Sequence, residues 1–184
     1  MDKSTVYHLN SINQRFYKAT AKEFDQTRGG AWAGWGEILD VMKSDLPNGE
    51  LSILDVGCGN GRFGVYLAEH LPNRFQYVGI DSDASLLEFA RNALGELPNV
   101  NSELLQLDIL DSDLSFGTFH WVVLFGVMHH IPGYTTRLDL IRQLTSNVKS
   151  GGYMSFACWR FYEYERFRKR VVPWDSDIRV EKHD

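Results

Sequence analysis

The stretch Ile53-Leu-Asp-Val-Gly-Cys-Gly-Asn-Gly-Arg62 joins an acid at the end of an apolar run to glycines at 57, 59 and 61. A helical pattern follows at once, from Arg62 to Leu71. Strand, tight glycine turn and helix start in that order let a ligand touch backbone that side chains would otherwise cover. A second apolar run, Tyr77-Val-Gly-Ile-Asp81, ends in another acid 20 residues after Gly61. A carboxylate at that place suits the hydroxyls of a ribose. The chemistry indicated is nucleotide binding. The ligand need not be a dinucleotide, because the dinucleotide fingerprint runs G-x-G-x-x-G and the glycines here run G-x-G-x-G.

Further candidates follow the same logic. Asp108, in Leu107-Asp108-Ile109, sits where a third strand ends, and Phe125-Gly-Val-Met-His-His130 follows a fourth. In open α/β sheets the ligand crevice lies beyond the carboxyl ends of the strands, so these segments face it. The alternative for Asp108 is an acid that caps a loop. His129 and His130 read as metal ligands or as a catalytic base. Adjacent residues rarely converge on one ion and no third ligand is evident, so no metal site is expected. Cys58, inside the glycine turn, reads as a small packed residue rather than a nucleophile. Trp32 and Trp35 either stack on a base or pack between helix and sheet.

These residues need a scaffold, and the chain supplies an alternating one. Residues 11–27 read as an amphipathic helix ended by Arg28-Gly29-Gly30, and Ala33 to Met42 as a second. Strands are expected at Ser52–Val56, Gln76–Ile80, Ser102–Leu107, His120–Phe125 and Tyr153–Cys158. Helices are expected at Arg62–Leu71, Ala84–Leu94 and about Thr136–Val148, the last capped by Gly151-Gly152. A further helix, about Phe161–Arg170, precedes a polar tail. Strand four is almost wholly apolar, as in a buried parallel sheet. The expectation is an α/β fold of about five parallel strands with helices on both faces. Residues 1–159 would form one domain, capped by its helical first 45 residues, with a basic helix and tail at 160–184.

Composition fits that picture. The chain has 184 residues, 43% hydrophobic and 23% charged, enough for one cored domain. No apolar run approaches the roughly 20 residues of a membrane helix. Two cysteines, Cys58 and Cys158, make no disulfide framework and lead us to expect a reducing cytoplasm. The net charge of −5 argues against a simple polyanion binder. Its distribution is uneven. Residues 1–36 carry net +2, 37–159 net −8 and 160–184 net +1, with Arg166, Arg168, Lys169 and Arg170 clustered. Positive ends either hold a nucleic acid near the site or are solvated helix faces.

The form Asp55-Val-Gly-Cys-Gly-Asn-Gly61 resembles motif I of the class I S-adenosylmethionine (SAM) methyltransferases. That resemblance covers roughly residues 50–160 and implies a Rossmann-like sheet and SAM as cofactor, leaving S-adenosylhomocysteine. It implies that Asp55, Gly57, Cys58, Gly59, Asn60 and Gly61 form the turn under the methionine part. Asp81 and Ser82 would hold the ribose, and Asp108 and Ile109 the adenine. Phe125 and Gly126 would lie under the sulfonium. A narrower resemblance rests on Phe16-Tyr17, Phe24-Asp-Gln-Thr-Arg28, Trp32, Val127-Met-His-His130 and Cys158-Trp159. These are similar to the tRNA wobble-uridine carboxymethyl methyltransferases, which esterify a uridine carboxylate. It implies Tyr17 as a contact to the SAM carboxylate, Arg28 as the bidentate hold on the substrate carboxylate, and His130 as the residue that orients it. A carboxylate with a pKa of about 4 is already ionised at neutral pH, so positioning outweighs general base catalysis.

The chain departs from that family after strand five, where the resemblance also implies part of the substrate contacts, so the expected substrate rests on the N-terminal motif. The usual sheet has an antiparallel hairpin after strand five, and only charged sequence follows Trp159, with Val171-Val172 and Ile178-Arg179-Val180 as strand-like fragments. Five strands without the hairpin are expected, in a truncated or naturally short form. The uncovered edge of strand five would invite a partner, such as a second copy. The acceptor is expected to be a tRNA. A small-molecule methyl acceptor and a SAM-binding module without catalysis are the alternatives.

Overall fold

The computed structural model describes residues 1–27 and 30–171. The chain begins with α1 (Lys3–Thr27) and α2 (Gly34–Ser44). It then alternates through β1 (Leu51–Val56), α3 (Arg62–His70), β2 (Phe75–Asp81), α4 (Ala84–Gly95), β3 (Val100–Gln106) and β4 (Phe119–Phe125). A 3₁₀ turn at Met128–His130, α5 (Tyr134–Thr145) and β5 (Val148–Ala157) follow. A second 3₁₀ turn at Phe161–Glu163 and the short α6 (Glu165–Arg168) end the described chain.

The five strands form one parallel sheet in the order β3-β2-β1-β4-β5. Side chains alternate across a strand, so β1 sends Ile53 to one face and Leu54 to the other. Ile53 joins Trp35, Met42, Phe63, Leu67 and Tyr77 beneath α2, α3 and α4. Leu54 joins Val56, Ile80, Val122, Leu124, Leu140 and Leu144 beneath α5. Every residue of β1 is buried, as a central parallel strand requires. The five-strand α/β fold with helices on both faces is as expected.

Three local expectations are corrected. α1 starts at Lys3 rather than at residue 11, because Asp2 caps it: the Thr5 N–H donates to Asp2 Oδ1 at 2.9 Å and the Thr5 hydroxyl to Oδ2 at 3.1 Å. The Ser4 hydroxyl, which donates to Asp2 Oδ1, and then these Thr5 bonds hold the Asp2 carboxyl down at about 2. Gly151-Gly152 do not cap α5. β5 already begins at Val148, and the β4–β5 register jumps between Phe119↔Val148 and Trp121↔Tyr153, so the glycines form a bulge with φ +77° at Gly151. The last helix is shorter than expected, a 3₁₀ turn and one α-helical turn in place of Phe161–Arg170. Among the described residues nothing pairs with the outer edge of β5, where Phe156 is exposed. The fragment from Val172 and the whole of Ile178–Val180 lie outside the described residues.

Candidate active site

A cavity of about 420 Å³ opens at the carboxyl ends of the strands. Its floor is the glycine turn. The N–H groups of Gly57 and Cys58 both donate to Ile80 O, at 2.8 and 2.9 Å, which ties the turn to β2. Gly57, Gly59 and Gly61 all have positive φ, a region closed to most side chains. A Cβ on Gly57 would collide with Val127 Cγ2, and one on Gly61 would stand 3.0 Å from the Ala90 Cβ. The turn is therefore shaped from both sides before any ligand arrives.

Asp81 ends β2 and faces the cavity. Its Oδ2 accepts from the Gly59 N–H and its Oδ1 from the Asp83 N–H, both at 2.9 Å. Burial pushes its carboxyl up, while those N–H groups pull it down. Each oxygen keeps a further lone pair for a ligand hydroxyl. Asp55 lies deeper. It is 2% exposed, accepts from the Tyr77 hydroxyl, and does not line the cavity. Burial pushes its carboxyl up to about 7, against the pull of the Tyr77 hydrogen bond.

This acid makes folding pH-dependent. The folded chain keeps a proton on Asp55 up to about pH 7 that the unfolded chain releases near roughly pH 3.9. Between those values the native state binds more protons, so stability falls as pH rises through the interval; Asp81, also raised, acts in the same direction. Asp55→Asn, which keeps the shape and carries no charge, is expected to flatten this fall. Urea unfolding midpoints at pH 5 and pH 7.5 check it, and a slope as steep as in the parent chain would assign the effect elsewhere.

Other candidates fall on both sides of the cavity wall. Tyr17, Ser82, Ile109, Phe125, Gly126 and His130 line it together with Gly57, Gly59, Asp81 and Asp108. Cys58, Asn60 and Gly61 do not. The Cys58 thiol is buried, its pKa driven well up by burial and by the Asp55 and Asp81 charges, so it is a packed residue. Asn60 Nδ2 donates to Asp25 Oδ1 at 2.9 Å and fastens the turn to α1. Gly61 supplies the left-handed N-cap of α3. Trp35 is a core residue, 2% exposed, while Trp32 stacks on it and reaches the cavity. Arg28 lies outside the described residues.

One wall of the cavity comes from α1. The Tyr17 hydroxyl and His130 Nε2 are hydrogen-bonded at 2.8 Å, and Asn13 Nδ2 donates to the His130 carbonyl at 2.9 Å. Burial pushes the His130 imidazole down, so it is neutral at neutral pH. Asp108 Oδ2 accepts from Asn10 Nδ2 at 2.8 Å and from Gln14 Nε2 at 2.6 Å, and its Oδ1 from the Leu110 N–H. An amino group of a bound base would meet Asp108 alongside these amides. Among the described residues no group of three or more His, Cys, Asp or Glu is placed to hold a metal ion.

Sequence reasoning missed several cavity residues. Asn10, Asn13 and Gln14 lie in or next to a stretch whose helical pattern marks only apolar positions. Arg62 lines the cavity, spans the faces of Trp32 and Trp35 at 4.9 and 5.3 Å, and donates to Gly30 O at 3.2 Å. Its place directly after the last motif glycine was the available signal. Trp159 and Phe161 also line the cavity.

A family model described as "Methyltransferase domain" matches residues 54–154. The chain is 32% identical over 168 residues to a tRNA (carboxymethyluridine(34)-5-O)-methyltransferase of Saccharomyces cerevisiae, covering 87% of this chain and 55% of that protein. It is 28% identical over 174 residues to a probable tRNA methyltransferase 9B of Homo sapiens, covering 93% of this chain and 34% of that protein. It thus spans between about a third and a little over half of these two relatives. Two solved structures share the fold at low identity. The DhpI complex with S-adenosylhomocysteine has a TM-score of 0.60 at 20% identity, covering 80% of this chain and 68% of that one. A TehB-like SAM-dependent methyltransferase from Corynebacterium glutamicum has a TM-score of 0.55 at 21% identity, covering 89% and 82%.

Proposed function

The chain belongs to the methyltransferase domain family, and from that premise we propose that it transfers the methyl group of SAM to a carboxylate on a modified tRNA uridine. The observation that carries the SAM reading is the Asp81 carboxylate. It is half-buried, accepts from the Gly59 N–H, and opens onto the same cavity as the Tyr17–His130 pair. The residues fit the cofactor. Asp81 accepts from the ribose hydroxyls, Gly57 and Gly59 allow backbone approach, and Leu107, Ile109 and Ile131 offer an apolar bed for adenine.

When bound, SAM supplies an electrophilic methyl group on a sulfonium. The protein's part is to position and desolvate. Neutral His130, steadied by Tyr17 at its Nε2 and by Asn13 at its carbonyl, orients the acceptor from the α1 side. An ionised carboxylate attacks without losing a proton, so no strong base is required. Arg28 is proposed as the hold on that carboxylate, where a guanidinium makes a bidentate pair. The tRNA acceptor is supported by the likeness to the Saccharomyces cerevisiae enzyme over 87% of the chain. The outer edge of β5, with which no described residue pairs, supports strand pairing with a second copy.

Incubation with SAM and tRNA bearing 5-carboxymethyluridine is expected to give the methyl ester, read by nucleoside mass spectrometry. Methylation of a small carboxylic acid with no reaction on the tRNA would redirect the assignment to a small-molecule enzyme. SAM binding with no turnover on either would leave a binding module.

A further inference from the structure

The segment after β5 is unlike the rest of the chain. Between Trp159 and Phe167 it carries Trp159, Phe161, Tyr162, Tyr164 and Phe167, with Arg160, Arg166, Arg168, Lys169 and Arg170 among and just beyond them. No residue of either of its helical turns is buried. Trp159 and Phe161 are each 39% exposed, Tyr164 54% and Tyr162 72%. So many rings at that exposure are not core packing.

The rings are ordered among themselves. Trp159 and Phe161 stack, with centroids 5.6 Å apart and planes 17° from parallel. Phe167 meets both edge-on, at 6.1 and 5.5 Å. His129 packs edge-on to Phe161 at 5.5 Å and connects the rings to the turn that carries His130. Trp159, Phe161 and Phe167 all line the cavity, so the stack stands at its mouth. The Arg166 guanidinium lies 4.7 Å from the Phe167 ring centroid, which holds a cation beside the rings. Glu163 pairs with Arg160 and Glu165 with Lys169, leaving the segment net positive on a chain of net −5.

Parallel aromatic faces flanked by cations suit single-stranded nucleic acid, in which unstacked bases lie on rings and phosphates meet Arg or Lys. A membrane surface or an apolar protein partner would match the rings without using their parallel stacking. We propose that Trp159 and Phe161 are a stacking platform for an RNA base at the cavity mouth, with Arg166 contacting the adjoining phosphate. The platform rests on the reading of RNA as the acceptor. It adds a residue-level account of how a polymer is held while one nucleotide enters the cavity. A base continues the Trp159–Phe161 stack on its outer face, and the cation beside Phe167 neutralises the backbone there.

Fluorescence anisotropy of the full chain with a labelled anticodon stem-loop RNA bearing 5-carboxymethyluridine tests this. Trp159→Ala and Phe161→Ala are each expected to weaken binding about 10- to 100-fold, the scale of one lost base stack. Trp159→Phe should keep most of the affinity. Phe161→Leu, which keeps apolar bulk without a π-face, should lose it. Arg166→Ala should weaken binding and lower the slope of log affinity against log salt by about one. Thermal melting of each variant reports whether the fold is kept. If the parent chain binds the RNA and Phe161→Leu and Trp159→Ala bind it equally well while folded, the platform is wrong and the RNA reading stands. If the parent chain binds no RNA even at low salt, the RNA reading itself fails.

Discussion

Replacing Asp81 with alanine is expected to raise the dissociation constant for SAM about 100-fold or more. A hydrogen bond to a charged group contributes about 1.5–3 kcal/mol, and a ribose diol offers two of them to one carboxylate. The substitution also strips the Gly59 and Asp83 N–H groups of their acceptors, so the turn keeps only the Gly57 and Cys58 bonds to Ile80 O as ties to β2. Against this stands relief from keeping a carboxylate in a poorly solvated place, which favours the variant's fold but not its ligand. Asp81→Asn keeps the shape and one acceptor oxygen and should fall between the two. Titration calorimetry with SAM measures the effect, and a thermal melt of the ligand-free variant separates lost binding from lost folding. Affinity equal to that of the parent chain in a folded Asp81→Ala variant would remove Asp81 from the ribose.

Gly57→Ala is expected to destabilise the fold by about 2–5 kcal/mol. Two costs add. The left-handed backbone, φ +74°, costs an L side chain about 1–2 kcal/mol. The new Cβ also collides with Val127 Cγ2, and overpacking of that kind costs about 1–3 kcal/mol. Neither partner yields easily. Gly57 is held by its N–H bond to Ile80 O, and Val127 is buried and stiff at χ1. Adding Val127→Ala removes the obstructing methyl, so the double variant should recover the packing part and keep the backbone part. Urea unfolding of the four chains in the cycle gives both terms. A Gly57→Ala chain as stable as the parent would mean that the turn is not fixed by its neighbours.

The framework of the site was legible because its signals are local. Glycines at 57, 59 and 61, acids at 81 and 108 and an unbroken apolar run in β4 each follow from rules that act within a few residues. What crosses the fold was not legible. Asn10 and Asp108 are 98 residues apart, and Tyr17 and His130 are 113 apart. No periodicity reports such a meeting, so the polar face of α1 went unread. Asp2 stands well ahead of the part of α1 where the apolar pattern becomes strong, so periodicity does not mark it as a helix cap. Gly151-Gly152 carry a signal shared by helix ends and β-bulges, and pairing with β4 decided between them. For Trp35, position relative to the sheet, and not residue type, separated a core ring from a stacking one.

The strand order has a bearing on synthesis. β1, first of the strands to leave the ribosome, ends up in the middle of the sheet, with β2 and β3 on one side and β4 and β5 on the other. Residues 51–106 contain three consecutive neighbours and can assemble as a half-sheet while the remainder is still being made. That half already owns Gly57, Gly59 and Asp81. Phe125, Gly126 and Val127, which close the cavity, arrive with β4 on the free side of β1. A nascent chain therefore carries Asp81 well before the cavity that it faces is closed. The cavity is completed only when the second half docks on β1.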